Sequence, residues 1–113
     1  MSREPADPLD DYLRGIGSVP PMTAREESAL WAAVRRGDDV DTSKKRLIEA
    51  NLHRVPPIAR RYEGRGGRRL ADLVEEGNVG SARAVELFDP SRDDDFTTFT
   101  DRHIDDAIAN APG

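Results

Sequence analysis

The sequence predicts an all-α fold, a compact helical bundle, on three observations. Apolar residues recur at spacings of three and four along most of the chain. No run of β-branched residues alternates with polar ones over the length of a strand. Residues that cap helices stand at the head of the apolar-periodic stretches. The 113 residues suit one domain, 1–113, with 1–6 expected as a flexible N-terminus. Hydrophobic residues at 36% against 35% charged supply a modest core.

The first helix is expected over about 7 to 15, with Pro8 in its first turn, where a missing N–H is harmless, and Gly15 and Gly17 ending it. Thr23 and Glu26 form a capping box that opens a second helix, which buries Leu30, Trp31 and Val34 and ends at Gly37. Thr42 or Ser43 is the expected cap of a third helix carrying Leu47, Ile48, Leu52, Val55, Ile58 and Ala59. Pro56-Pro57 falls inside that stripe; a proline there removes a hydrogen bond and clashes with the preceding turn at about 3 kcal/mol or more, so a kink or a break with restart is predicted. Gly64, Gly66 and Gly67 make a loop. The fourth helix spans about 69 to 87 around Leu70, Leu73, Val74, Val85 and Phe88, with Gly77 and Gly80 weakening its middle and Phe88-Asp89-Pro90 ending it. Thr98 and Asp101 resemble another cap, for a short last helix through Phe99, Ile104, Ala107 and Ile108.

Composition excludes several functions. Without cysteine there is no disulfide framework, thiolate nucleophile or Cys-ligated zinc site. No apolar run approaches the roughly 20 residues needed to span a bilayer, and Met1-Ser2-Arg3-Glu4-Pro5 lacks a signal-peptide layout, so a soluble cytoplasmic protein without membrane partners is expected. His53 and His103 are the only histidines, and Asp93-Asp94-Asp95 lacks calcium-loop spacing, so neither a metal nor any cofactor is expected. The net charge of −5 opposes general nucleic-acid packaging. Charge lies in blocks: −4 over residues 1–43, +7 over 44–69 and −8 over 70–113. Tyr62 is the only aromatic of the basic block, which therefore lacks the stacking platform of a single-strand binder.

Four ordered stretches carry a family resemblance: Arg46-Leu47-Ile48-Glu49-Ala50-Asn51-Leu52, Ile58-Ala59-Arg60-Arg61-Tyr62-Glu63-Gly64-Arg65-Gly66, Asp72-Leu73-Val74-Glu75-Glu76-Gly77-Asn78-Val79-Gly80 and Ala84-Val85-Glu86-Leu87-Phe88-Asp89-Pro90. Together they resemble region 2 of bacterial primary-type sigma factors. Asp7-Pro8, Tyr12-Leu13-Arg14, Ile16-Gly17, Leu30 and Gly37-Asp38 resemble the region 1.2 segment before it. The resemblance implies a compact helical domain. It also implies that the helix over 72–85 docks on the clamp helices of RNA polymerase, with Asp72, Glu75, Glu76 and Asn78 as partner-binding candidates; Glu75 stands where glutamine is usual and Ala82 where a larger apolar residue is usual. Independently, Asp72, Glu75 and Glu76 at i, i+3 and i+4 form an acidic ridge suited to a basic partner helix, or a solvated face.

The segment matching the promoter-melting motif of sigma factors departs from it. Arg102 and His103 occupy the two tryptophan positions, and Asp105 and Asp106 occupy the arginine and glutamine positions. Aromatic stacking is worth roughly 1–3 kcal/mol per base, and carboxylates repel phosphates, so promoter DNA is an unlikely partner, with Arg14, Phe96 and Phe99 as residual contacts. The chain also ends before the family's later promoter-reading parts, so an incomplete, degenerate sigma-like protein is expected. The favoured reading is a protein-binding transcription regulator, not an enzyme, that meets RNA polymerase core, an anti-sigma protein or another regulator. The alternative is a small acid/base enzyme acting on a small-molecule ligand through His103, Asp106 and Asp101, since a carboxylate three residues on can orient an imidazole. A local ion pair between Arg102 and Asp106 competes with that arrangement.

Overall fold

The computed structural model describes residues 8–92 and 95–111. The expected flexible segment 1–6 and the adjacent Asp93 and Asp94 lie outside the described residues. Within them stand six α-helices and no strand: α1 (Pro8–Gly17), α2 (Ala24–Arg36), α3 (Val40–Asn51), α4 (Val55–Arg60), α5 (Leu70–Leu87) and α6 (Phe96–Ala109). The all-α bundle is the architecture that the helical periodicity predicts.

Local chemistry sets most boundaries. The Thr23 hydroxyl accepts from the Glu26 N–H at 3.1 Å, and the Glu26 carboxylate accepts from the Thr23 N–H at 3.4 Å, which completes the capping box of α2. Gly37 ends α2 in the left-handed region at φ 78°, with the Asp38 N–H reaching back to the Ala33 carbonyl at 2.9 Å. α1 continues past Gly15 to Gly17, because Ile16 is buried and the Ser18 hydroxyl donates to the Gly15 carbonyl at 2.7 Å. The third helix breaks as the prolines require: α3 stops at Asn51, a single 3-10 turn spans Leu52–Arg54, and α4 restarts with Pro56 and Pro57 in its first turn.

Two expected caps stand elsewhere. Thr42 and Ser43 lie inside α3, which starts behind Asp39 at φ 40°, because aspartate tolerates the left-handed turn and lets α3 follow α2 almost directly. Ser43 is buried instead, its N–H on the Asp39 carbonyl at 2.9 Å. Thr98 and Asp101 likewise lie inside α6. The earlier carboxylate of Asp95 caps it, accepting from the Thr97 N–H at 3.1 Å and the Thr98 hydroxyl at 2.7 Å. Those bonds, led by the Thr98 hydroxyl, hold the Asp95 carboxyl below its usual range.

The core has two parts. Val55, Ile58 and Ala59 of α4 pack on Leu73 and Val74 of α5 and Ile104 and Ile108 of α6, while Trp31 of α2, Leu47 of α3, Val85 of α5 and Phe96 of α6 form the second cluster. Each such aliphatic side chain contributes about 1.5–3 kcal/mol by leaving water. α5 and α6 run antiparallel and make the most extensive contact. Gly77 and Gly80, expected to weaken α5, are what permits it: a Cβ at Gly77 would meet Val55 Cγ1 at 2.5 Å, and one at Gly80 would meet the His103 carbonyl oxygen at 2.5 Å. Glu27 of α2 and Asp95 line one side of a cleft floored by Trp31, Phe88 and Phe96. Burial, and then the Asp95 charge, raise the Glu27 carboxyl above its ordinary value.

Three substitutions test this packing and its electrostatics. Gly80→Ala should destabilise the fold by about 2 kcal/mol, because overpacking against rigid backbone outweighs the gain of about 1 kcal/mol in helix propensity. Gly15→Ala, where an added Cβ meets nothing within 4 Å, should stabilise by roughly 0.5–1 kcal/mol; urea unfolding of both variants measures the opposed signs. The raised Glu27 carboxyl favours the neutral form in the folded state, so its contribution is present below the unfolded value of 4.5 and is lost as pH rises through the folded one. Glu27→Gln should therefore raise the Tm at neutral pH and leave it unchanged in strong acid, as thermal melts across pH would reveal.

Candidate functional site

Two surfaces hold the candidate residues. The first is the outer side of α5, where Asp72, Val79, Arg83 and Glu86 follow one another at helical spacing and Glu75 and Glu76 flank them. Asp72 and Glu75 are exposed and Glu76 is half-buried. Val79, 54% exposed, and Leu87, 51% exposed, are the large apolar side chains left in solvent among the described residues, and both belong to α5. Asn78 does not join this ridge: its amide donates to the Tyr12 hydroxyl of α1 at 2.7 Å, and it borders a cavity of about 510 Å³ between α1 and α5. Sequence spacing locates the acids; the exposed apolar residues Val79 and Leu87 further along the helix are not singled out by it, because exposure depends on which face packs.

The second surface is α6. Phe96 is 3% exposed and locked in the core, edge-on to Trp31 with ring centroids 5.1 Å apart, so it is unavailable for stacking on a base. Phe99 is half-buried and lies 5.2 Å from Phe88 on one side and 4.3 Å from the His103 ring on the other, the latter pair stacked. His103 Nδ1 sits 3.1 Å from the Phe99 carbonyl oxygen, one turn back. The imidazole thus extends an aromatic run outward from the core.

The acids of α6 divide by face. Asp101 forms a bidentate pair with Arg54, at 2.7 Å to Nε and 2.6 Å to Nη2, and that bond, ahead of the opposing effect of burial, raises the guanidinium further above its already high range. Asp105 accepts from the Tyr62 hydroxyl at 2.8 Å, which, with burial, holds the phenol above its ordinary value. Both bonds pin α6 to the α3–α4 corner and to the end of α4. Asp101 therefore lies on the side away from His103, and the grouping of His103, Asp106 and Asp101 in one site is not what the structure brings together. His103 and Asp106 do line a shared cleft of about 270 Å³ with Val79, Gly80, Arg83 and Ala107. No ion pair joins Arg102 to Asp106; Arg102 is exposed. The Arg54–Asp101 and Tyr62–Asp105 bonds join residues 47 and 43 apart, beyond the reach of any local pattern.

Of the remaining candidates, Arg14 is exposed on α1 and paired with Asp11 at 3.1 Å. Asp95 serves as a cap and Asp93 and Asp94 lie outside the described residues; among those described, no three His, Asp or Glu side chains gather as metal ligands. No described helix is long and apolar enough to cross a membrane.

Comparison with known proteins identifies the family. Residues 47–111 match Sigma-70 region 2, and residues 7–39 match Sigma-70 factor, region 1.2. An RNA polymerase sigma factor SigA from Bacillus sp is 44% identical over 105 residues, which cover 93% of this chain and 27% of the relative. The chain thus spans about a quarter of the length of that curated relative. With the region 2 match running from the middle of α3 through the whole of α6, the chain belongs to the sigma-70 region 2 family.

Proposed function

We propose that this chain is an RNA polymerase-associated transcription regulator that docks through the outer face of α5 and does not itself open promoter DNA. The observation that carries the docking is the juxtaposition of Asp72, Glu75 and Glu76 with the exposed Val79 and Leu87 on one helix. An apolar pair within charged flanks suits a protein partner, with the apolar groups supplying contact area and the acids selecting a basic helix. The relative's printed name, RNA polymerase sigma factor, gives the polymerase core as the partner to test first.

The absence of promoter opening rests on the chemistry of α6. The tryptophan positions carry exposed Arg102 and half-buried His103, and the His103 ring already has Phe99 on one face. Phe96 faces the core, and the exposed Asp106 beside His103 adds a negative charge that repels phosphates. Lost stacking of roughly 1–3 kcal/mol per base combines with this repulsion. The competing reading, acid/base chemistry on a small molecule, now rests on the His103–Asp106 cleft alone.

Asp72→Arg with Glu76→Arg should weaken capture of the chain by purified polymerase core by roughly tenfold or more, equivalent to about 1.4 kcal/mol, and should alter its salt dependence. His103→Ala should leave capture unchanged. Equal capture of all three proteins, or none of the parent chain, would sink the docking reading. Permanganate footprinting of a promoter with core and this chain should reveal no newly reactive thymines; their appearance would refute the loss of melting.

A further inference from the structure

The cavity of about 510 Å³ between α1 and α5 falls within the roughly 300–1,000 Å³ of sites that hold small molecules. Its walls are apolar. Leu9 and the ring of Tyr12 come from α1, and Ala71 and Val74 come from α5. Val74 belongs to the core cluster of α4, α5 and α6, and the half-buried Leu9 and Tyr12 pack against that cluster, so the walls are continuous with the core.

The polar groups on these walls have unused capacity. Arg69, at the head of α5, and Glu75, nearly two turns further on, both line the cavity and are exposed. Neither forms an ion pair among the described residues, with the other or with any third group. The Tyr12 hydroxyl accepts from the Asn78 amide at 2.7 Å, which occupies a lone pair and leaves the phenolic proton without an acceptor among the described residues. Asn78 Oδ1 is shut off from solvent and has no hydrogen-bond partner. Turning the amide over exchanges that orphan acceptor for an orphan donor, so either orientation leaves one polar atom for a ligand to satisfy.

We propose that the α1–α5 cavity binds a free α-amino acid with an apolar, preferably aromatic, side chain. Arg69 and the Tyr12 hydroxyl proton take its carboxylate, Glu75 takes its ammonium, and its side chain lies against Leu9, Tyr12 and Val74. A simple anion would answer Arg69 and be repelled by Glu75, and a simple cation would do the reverse; a zwitterion meets both charges. The walls exclude a polar side chain, whose groups would lose water without gaining partners. The interior of a peptide carries neither charge. Access to the orphan amide atom comes from α1, which holds to the core through side chains that are only partly buried and so can ease away from α5.

The test is isothermal calorimetry of the full chain with L-phenylalanine, with thermal melts as a second readout, and it involves no polymerase. A dissociation constant on the order of 0.1–1 mM is expected, with a melting temperature that rises as the amino acid is added. Phenylpropanoate, which lacks the ammonium, and phenylethylamine, which lacks the carboxylate, should each bind about tenfold more weakly or worse. Glu75→Gln should abolish the preference for L-phenylalanine over phenylpropanoate, and Arg69→Gln the preference over phenylethylamine, a crossed pattern that a general loss of structure does not produce. Ala71→Trp, which places an indole in the cavity, should prevent binding, whereas Arg25→Gln, which removes an exposed charge from α2, should not affect it. Circular dichroism verifies that the variants keep their helices. The proposal is overturned if 10 mM L-phenylalanine, a concentration of about ten times the weakest expected constant, gives neither heat nor a shift in melting, if the two analogues or L-glutamate bind as tightly, if the crossed pattern is missing, or if Ala71→Trp binds like the parent chain.

Discussion

The close crossing of α5 and α6 is the constraint on which the remaining structure depends. At Gly80 the backbone of α5 comes so near α6 that the His103 carbonyl occupies the space a methyl group would take. That approach fixes the rotation of both helices. It turns Leu73, Val74, Ile104 and Ile108 inward together and leaves Asp72, Val79 and Glu86 outward. It also presents Asp101 to Arg54 and Asp105 to Tyr62 on the far side of α6. Core, clamps and exposed ridge are thus three results of one steric condition, set by residues that carry no side chain at all.

Much of this was legible in the sequence where the governing physics is local. The capping box of Thr23 and Glu26 and the break ahead of Pro56-Pro57 depend on neighbours within a turn, and both stand where the pattern put them. The start of α6 failed for a physical reason: Thr98 has the spacing of a cap, but the Asp95 carboxylate three residues earlier is the stronger acceptor, and Phe96 gains burial by entering the helix. Gly77 and Gly80 were misjudged because propensity counts their effect on one helix, whereas their value lies in the partner they admit.

The candidate site divides in the same way. Periodicity along α5 identified Asp72, Glu75 and Glu76 as neighbours, since a single helix decides that question. It did not separate Asn78, whose amide is held by Tyr12 across the chain, nor Asp101, whose partner lies on the α3–α4 corner. The acidic character of the last third is therefore not uniform. Asp95, Asp101 and Asp105 serve the fold through bonds to Thr98, Arg54 and Tyr62, while Asp106 remains on the surface beside His103. Of the adjacent pair, Asp105 is thus a structural clasp on Tyr62, and Asp106 is charge facing solvent.

The Arg68 clasp has a consequence for the order of folding. α5 and α6 are joined by a short connection and meet antiparallel, so bringing them together confines few residues and carries a small loop-closure entropy. Arg68 then ties the entrance of this hairpin to its exit through the Ile108 and Ala111 carbonyls, closing the pair at its open end. The hairpin becomes a cooperative unit that α4 and α3 join, with α1 added through Tyr12 and Ile16 near the periphery. Amide protons in the middle of α5 and α6 are accordingly expected to exchange only through global opening, and those of α1 through a local detachment that leaves the hairpin intact.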